Sequence, residues 1–207
     1  MALSLARELL GHVHVPDAAG LRRVTWRLDV IFRVRTQPTA GQILGLAGKG
    51  ELTAASDGNY GIRYRNDGGT LRLGGHFVDV GATTVYSAEA AQELTTDRYY
   101  AAVQTYSDVT KVHNLYLAAG DYRGEAGAAA TTLIATATHG GVSANNASTR
   151  PLRFGAEDGA TGDVNGADID VAEVRLWSTA DAKATIDSNV WTRVERDAAN
   201  LIGLWRC

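Results

Sequence analysis

The stretch TWRLDVIFRVRT, residues 25–36, alternates between large apolar side chains and charged ones. The apolar parity consists of Trp26, Leu28, Val30, Phe32 and Val34. Four charged residues, Arg27, Asp29, Arg33 and Arg35, occupy the other parity. Because successive side chains of a β-strand point to opposite faces, this pattern predicts a strand with one face in an apolar core.

The stretch YGIRYRNDGGTLRLGG, residues 60–75, repeats this alternation on both sides of a turn signal. Ile62 and Tyr64 alternate with Arg63 and Arg65, and the residues 66–69 tolerate the positive φ that a tight hairpin requires. Further short strands are predicted at residues 12–15, 42–48, 76–80, 99–106, 112–119, 131–138, 151–155 and 200–205. Many short strands at this spacing indicate one all-β domain, built either as a sandwich or as a barrel.

One short helix is expected near the C-terminal end, within residues 178–189. Ser178 or Thr179 would cap its N-terminus, Asp181 would lie in its first turn, and Ile186 would face inward. Residues 1–10 suit either a second short helix or a mobile arm, and the strands described above account for most of the remaining chain.

Composition excludes several classes of function. The 207 residues carry a net charge of −3, so no overall positive field favours nucleic acid, and 45% hydrophobic residues suffice for a core. No window approaches the roughly 18 apolar residues of a membrane span. The single cysteine, Cys207, cannot form an internal disulfide, and the first residues lack a secretory signal pattern. We therefore expect a protein that is made and folded in a cytoplasm, with neither a nucleic-acid nor a membrane partner.

Six segments, in chain order, resemble the laminin-G-like, concanavalin A-like jelly roll. They are GHVHVP (11–16), VTWRLDVIFRV (24–34), RYYAAVQTYSDVTKVHNLYLAAG (98–120), LRFGA (152–156), IDVAEVRLWSTADAKATI (169–186) and LIGLWRC (201–207). The resemblance implies two antiparallel sheets, frequent glycan or protein binding, and in some members calcium. It begins at Gly11, which divides the chain into an N-terminal arm, residues 1–10, and one domain, residues 11–207. It also predicts that the strands at 12–15 and 201–205 lie side by side in one sheet.

The stretch ADIDVAEVRLW, residues 167–177, changes its apolar phase between Val171 and Val174. A single bulge near Ala172 would keep the apolar residues on the core face and place three acids, Asp168, Asp170 and Glu173, on the opposite face. That arrangement is similar to the ExDxxE motif of laminarinase-type glycoside hydrolases, in which two carboxyls act as nucleophile and acid/base.

Two features favour a structural, ion-paired role for these acids over catalysis. Asp168 stands where the hydrolase motif has the longer glutamate, and placement within an ångström decides the rate of such chemistry. Arg175, next on the same face, would pair with Glu173 and favour its ionised form, the wrong direction for a general acid. Hydrolysis by Asp168, Asp170 and Glu173 remains the alternative interpretation, and we expect no enzyme.

Calcium is the one candidate cofactor. Five oxygen-bearing residues of a glycine-rich stretch could supply its ligands: Asp158, Asp163, Asn165, Asp168 and Asp170. Calcium takes six to eight oxygens from such groups, although the spacing here is not that of an EF-hand. The competing interpretation is a solvated turn whose Asp and Asn side chains bond to their own backbone.

Candidate carbohydrate contacts are Trp191, which follows the helix and could offer a stacking platform, and Tyr60, together with Asp168, Asp170 and Glu173. One explanation for a lectin-like jelly roll without a secretion route is a virion protein, because phage capsids and tails assemble in the cytoplasm. We therefore expect a non-enzymatic interaction module at the surface of a bacteriophage particle, as a capsid decoration or tail-associated protein that could bind surface glycans. A free calcium-dependent lectin or adhesin is the alternative.

The N-terminal arm suggests the partner of such a module. Its leucines, Leu3, Leu5, Leu9 and Leu10, are too few for a core, and they would gain stability by packing on another surface. Another virion subunit or a second copy of the chain is the expected partner.

Overall fold

The computed structural model describes residues 3–5, 13–50, 58–81, 84–120, 129–145, 147–159, 162–164, 166 and 168–206. Over these residues the chain forms two large antiparallel sheets, a small hairpin and one α-helix. The predicted fold class, an all-β antiparallel sandwich with one short helix near the C-terminal end, is therefore confirmed. In the described ranges, no helix is long and apolar enough to cross a membrane.

The described strands are distributed over three sheets. The first sheet has the spatial order β1 (Leu3–Leu5), β14 (Ile169–Trp177), β3 (Trp26–Val34), β8 (Tyr99–Tyr106), β9 (Val112–Gly120) and β10 (Thr132–Thr138), and β15 (Leu201–Arg206) also pairs with β14. The second sheet has the order β2 (Val13–Val15), β11 (Leu152–Phe154), β4 (Ile43–Lys49), β5 (Tyr60–Asp67), β6 (Thr70–Val78) and β7 (Val85–Ala91). The hairpin consists of β12 (Glu157–Gly159) and β13 (Gly162–Val164), and the helix α1 spans Lys183–Asn189.

The core lies between the two large sheets and has an aromatic centre. The ring of Trp26 lies 5.2 Å from Tyr60, 5.8 Å from Phe77 and 5.0 Å from Tyr106, measured between ring centroids. Each of these residues comes from a different strand, so the cluster joins both sheets. Such contacts supply much of the apolar burial that holds a sandwich together.

The predicted hairpin between β5 and β6 is present. Asp67 pairs with Thr70, and the two residues between them, Gly68 and Gly69, have φ values of 58° and 100°. The side chain of Asn66 accepts a hydrogen bond of 2.8 Å from the backbone of Gly69. Two consecutive residues with positive φ match the twist of the flanking strands, and this turn fixes the register of the pair.

The predicted bulge in β14 is also present. Opposite β3, Val171 pairs with Phe32 and Glu173 pairs with Ile31, so Ala172 is the extra residue. The four apolar residues on either side, Ile169, Val171, Val174 and Leu176, all lie in the core between the sheets. Ala172 instead packs on the outer face of the sheet, beneath α1.

The helix α1 covers part of the outer face of the first sheet. Ile186 is fully buried, as predicted, and packs with Val190 against Ile31, Ala101 and Val103. The predicted start was wrong, because the helix begins at Lys183 after a cap without a side-chain bond. The hydroxyl of Thr179 donates to Asp181, and Asp181 in turn accepts from Arg27 of β3.

The predicted pairing of residues 12–15 with residues 201–205 is wrong. β2 belongs to the second sheet and pairs with β11, whereas β15 belongs to the first sheet and pairs with β14. The remaining length of that edge of β14 is paired with β1 instead. Alternation specified which residues face the core, but it did not specify which strand lies beside which.

Candidate functional site

The outer face of the first sheet is held together by buried ion pairs. Arg27 donates to Asp29 through Nε at 2.6 Å and Nη2 at 2.8 Å, and it reaches the side chain of Asn189 at 2.6 Å. Asp29 also accepts the indole N–H of Trp177 at 3.1 Å. These bonds fix β3, β14 and α1 to one another, so the charged residues here act as a structural joint.

A second joint centres on Glu173, one of the three acids of the β14 stretch. Its carboxylate accepts from Arg175 and, at 3.0 Å, from Arg206 of β15. Arg175 also donates to the backbone oxygens of Asn189 and Thr192, at 2.7 and 2.9 Å. Pairing of Glu173 with Arg175 was predicted from the sequence and is confirmed.

Asp170 lies farther along the same face and is paired twice. It accepts from Arg33 and Arg35, whose Nε atoms lie 2.8 Å from its two oxygens. These hydrogen bonds raise the pKa of both guanidinium groups. Since Asp170 and Glu173 are both buried and both held by two arginines, neither carboxyl is placed as a hydrolase would need it.

Asp168, the third acid, accepts a hydrogen bond of 2.7 Å from the hydroxyl of Thr36. Of the other predicted calcium ligands, Asp158 and Asp163 pair through their backbones in the small hairpin, and Asn165 lies outside the described residues. Over the residues that the structure describes, no group of three His, Cys, Asp or Glu could hold a metal ion. Calcium binding stays a prediction.

Trp191 lies just beyond α1, half-buried against the first sheet. Its indole N–H donates to the backbone oxygen of Ala129 at 3.0 Å, and its ring lies over Gly120. A Cβ added to Gly120 would come within 2.9 Å of this ring, so the glycine provides the space in which the ring lies. A sugar contact at Trp191 stays a prediction.

Tyr60 requires a correction. Its side chain is fully buried in the core, and its hydroxyl donates to the backbone oxygen of Leu21 at 2.9 Å. Burial also raises the pKa of this hydroxyl. Tyr60 shares the parity of Ile62 and Tyr64, and it therefore faces the core, where a surface glycan cannot contact it.

Leu3 and Leu5, from the predicted arm, lie on β1. The backbone of Leu3 is paired with that of Val171, and the backbone of Leu5 with that of Ile169. Leu9 and Leu10 lie outside the described residues. The described part of the arm is thus attached to the first sheet, and contact of these leucines with a partner stays a prediction.

The outer face of the second sheet differs in character. On β5 and β6 the core side holds Ile62, Tyr64, Leu71 and Leu73, whereas the outer side holds Arg63, Arg65, Arg72 and His76. Glu89 of β7 joins them, directly opposite Gly74. The one α-helix among the described residues, α1, packs on the other sheet. We define this cluster of Arg63, Arg65, Asp67, Arg72, His76 and Glu89 as the arginine face.

Glu89 organises the centre of the arginine face. It accepts two hydrogen bonds from Arg65, from Nε at 3.0 Å and from Nη2 at 2.9 Å, and His76 Nε2 lies 3.4 Å away. A Cβ on Gly74 would come within 3 Å of both Glu89 and His76, so the glycine lets these side chains lie across the strand. Partial burial raises the pKa of Glu89, but the hydrogen bonds with His76 and Arg65 outweigh it and lower the pKa to about 2.

The rim of the arginine face is open to solvent. Arg65 and Arg72 are paired directly across β5 and β6, and their side chains are 32% and 36% exposed. Asp67 lies 3.6 Å from a nitrogen of each. None of these residues was among the site residues predicted from the sequence. The alternation in residues 60–75 did assign two of them, Arg63 and Arg65, to the non-core parity, and Arg72, which stands between Leu71 and Leu73, follows the same pattern.

The chain matches no protein-family model and no curated protein. Among solved structures, the chain is similar in fold to a Bacteroides ovatus protein provisionally assigned to carbohydrate binding, with 16% identity and a TM-score of 0.67. The match covers 99% of this chain but only 50% of the Bacteroides ovatus protein. The CBM40 module of a Ruminococcus gnavus IT-sialidase, solved with α2,3-sialyllactose, is 7% identical with TM-score 0.66 over 90% of this chain and 94% of that one. Tailspike protein 2 of the Escherichia coli O157:H7 bacteriophage CAB120 is 13% identical with TM-score 0.69 over 99% of this chain and 26% of that one. At these identities the likeness establishes the sandwich fold alone.

Proposed function

We propose that the chain is a non-enzymatic carbohydrate-binding module that serves as an interaction domain at the surface of a bacteriophage particle. The observation that carries the proposal is the contrast between the two outer faces of the sandwich. Helix α1 and the ion pairs of Arg27 and Arg175 seal part of the first sheet. The second sheet instead has an exposed rim, formed by Arg65, Asp67 and Arg72, beside the buried Arg63 and His76 and the largely buried Glu89. Carbohydrates are recognised by such fixed polar side chains, which bond to hydroxyl and acidic groups.

The state of the β14 acids supports binding over hydrolysis. A glycosidase needs one carboxyl free to give up a proton and another free to attack or to activate water. Asp170 and Glu173 are each held by two arginines on a structural joint, so a reaction there would require breaking the joint.

The fold comparisons support the same proposal. Two of the similar structures carry carbohydrate-binding descriptions, and a third is a bacteriophage tailspike protein. A module on a phage particle would have other virion subunits or copies of itself as partners. In this proposal, the leucines of residues 1–10 contribute to that contact.

Binding of purified protein to an array of bacterial surface polysaccharides and of host oligosaccharides tests the carbohydrate function. We expect retention on a subset of glycans, with no release of reducing ends on prolonged incubation. Failure to bind any glycan would refute the binding proposal, and steady hydrolysis would refute its non-enzymatic part. The phage assignment is tested by whether the gene lies among capsid and tail genes.

A further inference from the structure

We infer that Arg65 and Arg72 of the arginine face form the contact for a carboxylate group of an acidic glycan. This inference rests on the proposed carbohydrate-binding function and adds the class of ligand and the residues that select it. It is carried by the positions, bonds and exposure of these two arginines.

The two arginines are direct cross-strand neighbours on the same face of the sheet. Like charges in this position destabilise an antiparallel pair unless an anion compensates them. Glu89 compensates Arg65 through two hydrogen bonds. Asp67, at 3.6 Å from each arginine, is too distant for a hydrogen bond to either. Arg72 therefore has only a loose ion pair within the described residues.

Both arginines have donors without a hydrogen bond to the described residues, and one of these donors, Nε of Arg72, is itself buried. Arg65 uses Nε and Nη2 for Glu89, which leaves Nη1 without a hydrogen bond to the described residues. Arg72 makes no hydrogen bond to the described residues, and about a third of its side chain is exposed. A guanidinium group is a planar fork that matches the two oxygens of a carboxylate. An acidic sugar bound here would supply the missing counter-charge to Arg72 and accept from Arg65.

Glu89 positions this contact without competing for it. Its two bonds hold the guanidinium of Arg65 in one plane, and its carboxylate stays ionised because its pKa is about 2. Arg65 is therefore already oriented before a ligand binds, which reduces the rotamer freedom lost on binding.

The test compares Arg72→Ala and Arg72→Lys with the intact chain by titration calorimetry. The probes are sialylated and uronic-acid oligosaccharides, their neutral asialo or carboxyl-reduced counterparts, and a sulfated oligosaccharide. Arg193→Ala serves as the matched control, because Arg193 is also exposed but lies in the segment after α1. We expect the intact chain to prefer the carboxylated probes, more strongly at low ionic strength. Arg72→Ala should weaken that binding by at least about tenfold, and Arg72→Lys should weaken it less.

Stability separates a binding role from a structural one. Because Arg72 stands opposite Arg65, its removal should leave the melting temperature unchanged or raised, while binding of the carboxylated probes is weakened. A lowered melting temperature with unchanged binding would overturn the inference. Equal binding of neutral and carboxylated probes, or binding of the sulfated probe alone, would overturn it and leave the carbohydrate-binding proposal standing. Absence of binding to every glycan would refute both.

Discussion

Arg27 and Asp29 lie two positions apart on the outer face of β3 and are joined by two hydrogen bonds, of 2.6 and 2.8 Å, while neither side chain is more than 1% exposed. The pair reaches β14 through Trp177 and α1 through Asn189. The charged side chains of β3 that alternate with the core residues therefore attach α1 to the first sheet.

Removing one member of this pair should strongly destabilise the fold. In Asp29→Ala the buried guanidinium of Arg27 loses its main partner, and we expect the free energy of unfolding to fall by about 3–5 kcal/mol in urea denaturation. The matched control is Arg193→Ala, which removes an ion pair with Glu195 whose side chains are 78% and 70% exposed. That change should shift the free energy by less than about 1 kcal/mol. Similar losses in both variants would contradict the assigned role of the buried pair.

Glu173→Gln tests the role of the β14 acids. The amide keeps the shape of the side chain but weakens the charge-assisted bonds from Arg175 and Arg206, so we expect a loss of about 1–3 kcal/mol in the free energy of unfolding. Neither the intact chain nor the variant should release reducing sugar from a β-glucan. If the intact chain hydrolysed the glucan and the variant did not, Glu173 would be catalytic.

Acid should destabilise the protein through His113. This residue is fully buried, and burial lowers its pKa well below 6.5, with the charges of His139 and His76 adding to the effect. As pH falls below about 6.5, the unfolded chain takes up a proton at this position and the folded chain does not. With respect to His113, the free energy of unfolding is therefore at its maximum above pH 6.5, and it decreases progressively as the pH falls below this value.

Denaturation midpoints measured on both sides of pH 6.5 test this dependence. His113→Gln should flatten the profile, and the same change at the exposed His14 should leave it as it is. Glu89 does not affect the stability change near pH 6.5. Its pKa is lowered from 4.5 to about 2, so the stability that it contributes is lost only at lower pH. A variant at His113 that kept the full slope would contradict the prediction.

Gly203→Ala should destabilise the β15 edge. A Cβ at Gly203 would lie 2.1 Å from the indole ring of Trp205, and this ring is held against Phe154 with their centroids 5.4 Å apart. We expect a loss of about 1–3 kcal/mol in the free energy of unfolding, as for other overpacked sites. Gly140→Ala is the control, since nothing lies within 4 Å of its added Cβ. Equal effects at both glycines would show that the ring can move at little cost.

The sequence predicted those features that depend on local pattern. The phase change between Val171 and Val174 located the bulge at Ala172, and the glycines at 68 and 69 located the β5–β6 turn. Arginine parity on β5 likewise placed Arg63 and Arg65 away from the core. Each of these properties follows from side-chain alternation or from backbone preference at a few adjacent residues.

Features that depend on distant partners could not be predicted in this way. The strand at Val13–Val15 has a core-facing parity that suits either sheet, and only its contact with Leu152–Phe154 decides between them. Asp181 was assigned to the first turn of the helix, but its ion pair with Arg27 of β3 holds it before the helix begins. The arginine face likewise arises from β5, β6 and β7 together, and the position of Glu89 opposite Gly74 has no signal in either strand alone.

The shared edge of β14 has a topological consequence. β1 and β15 run in the same direction along that edge, with Leu3 opposite Val171 and Arg206 opposite Glu173, so only the bulge residue Ala172 separates the end of one from the start of the other. Along β14, the end of β15 therefore lies next to the start of β1, and the two strands point in the same direction. A short linker could therefore join residue 206 to residue 3. The protein could then be circularly permuted, with new chain ends placed in a surface turn such as Gly140–Gly141.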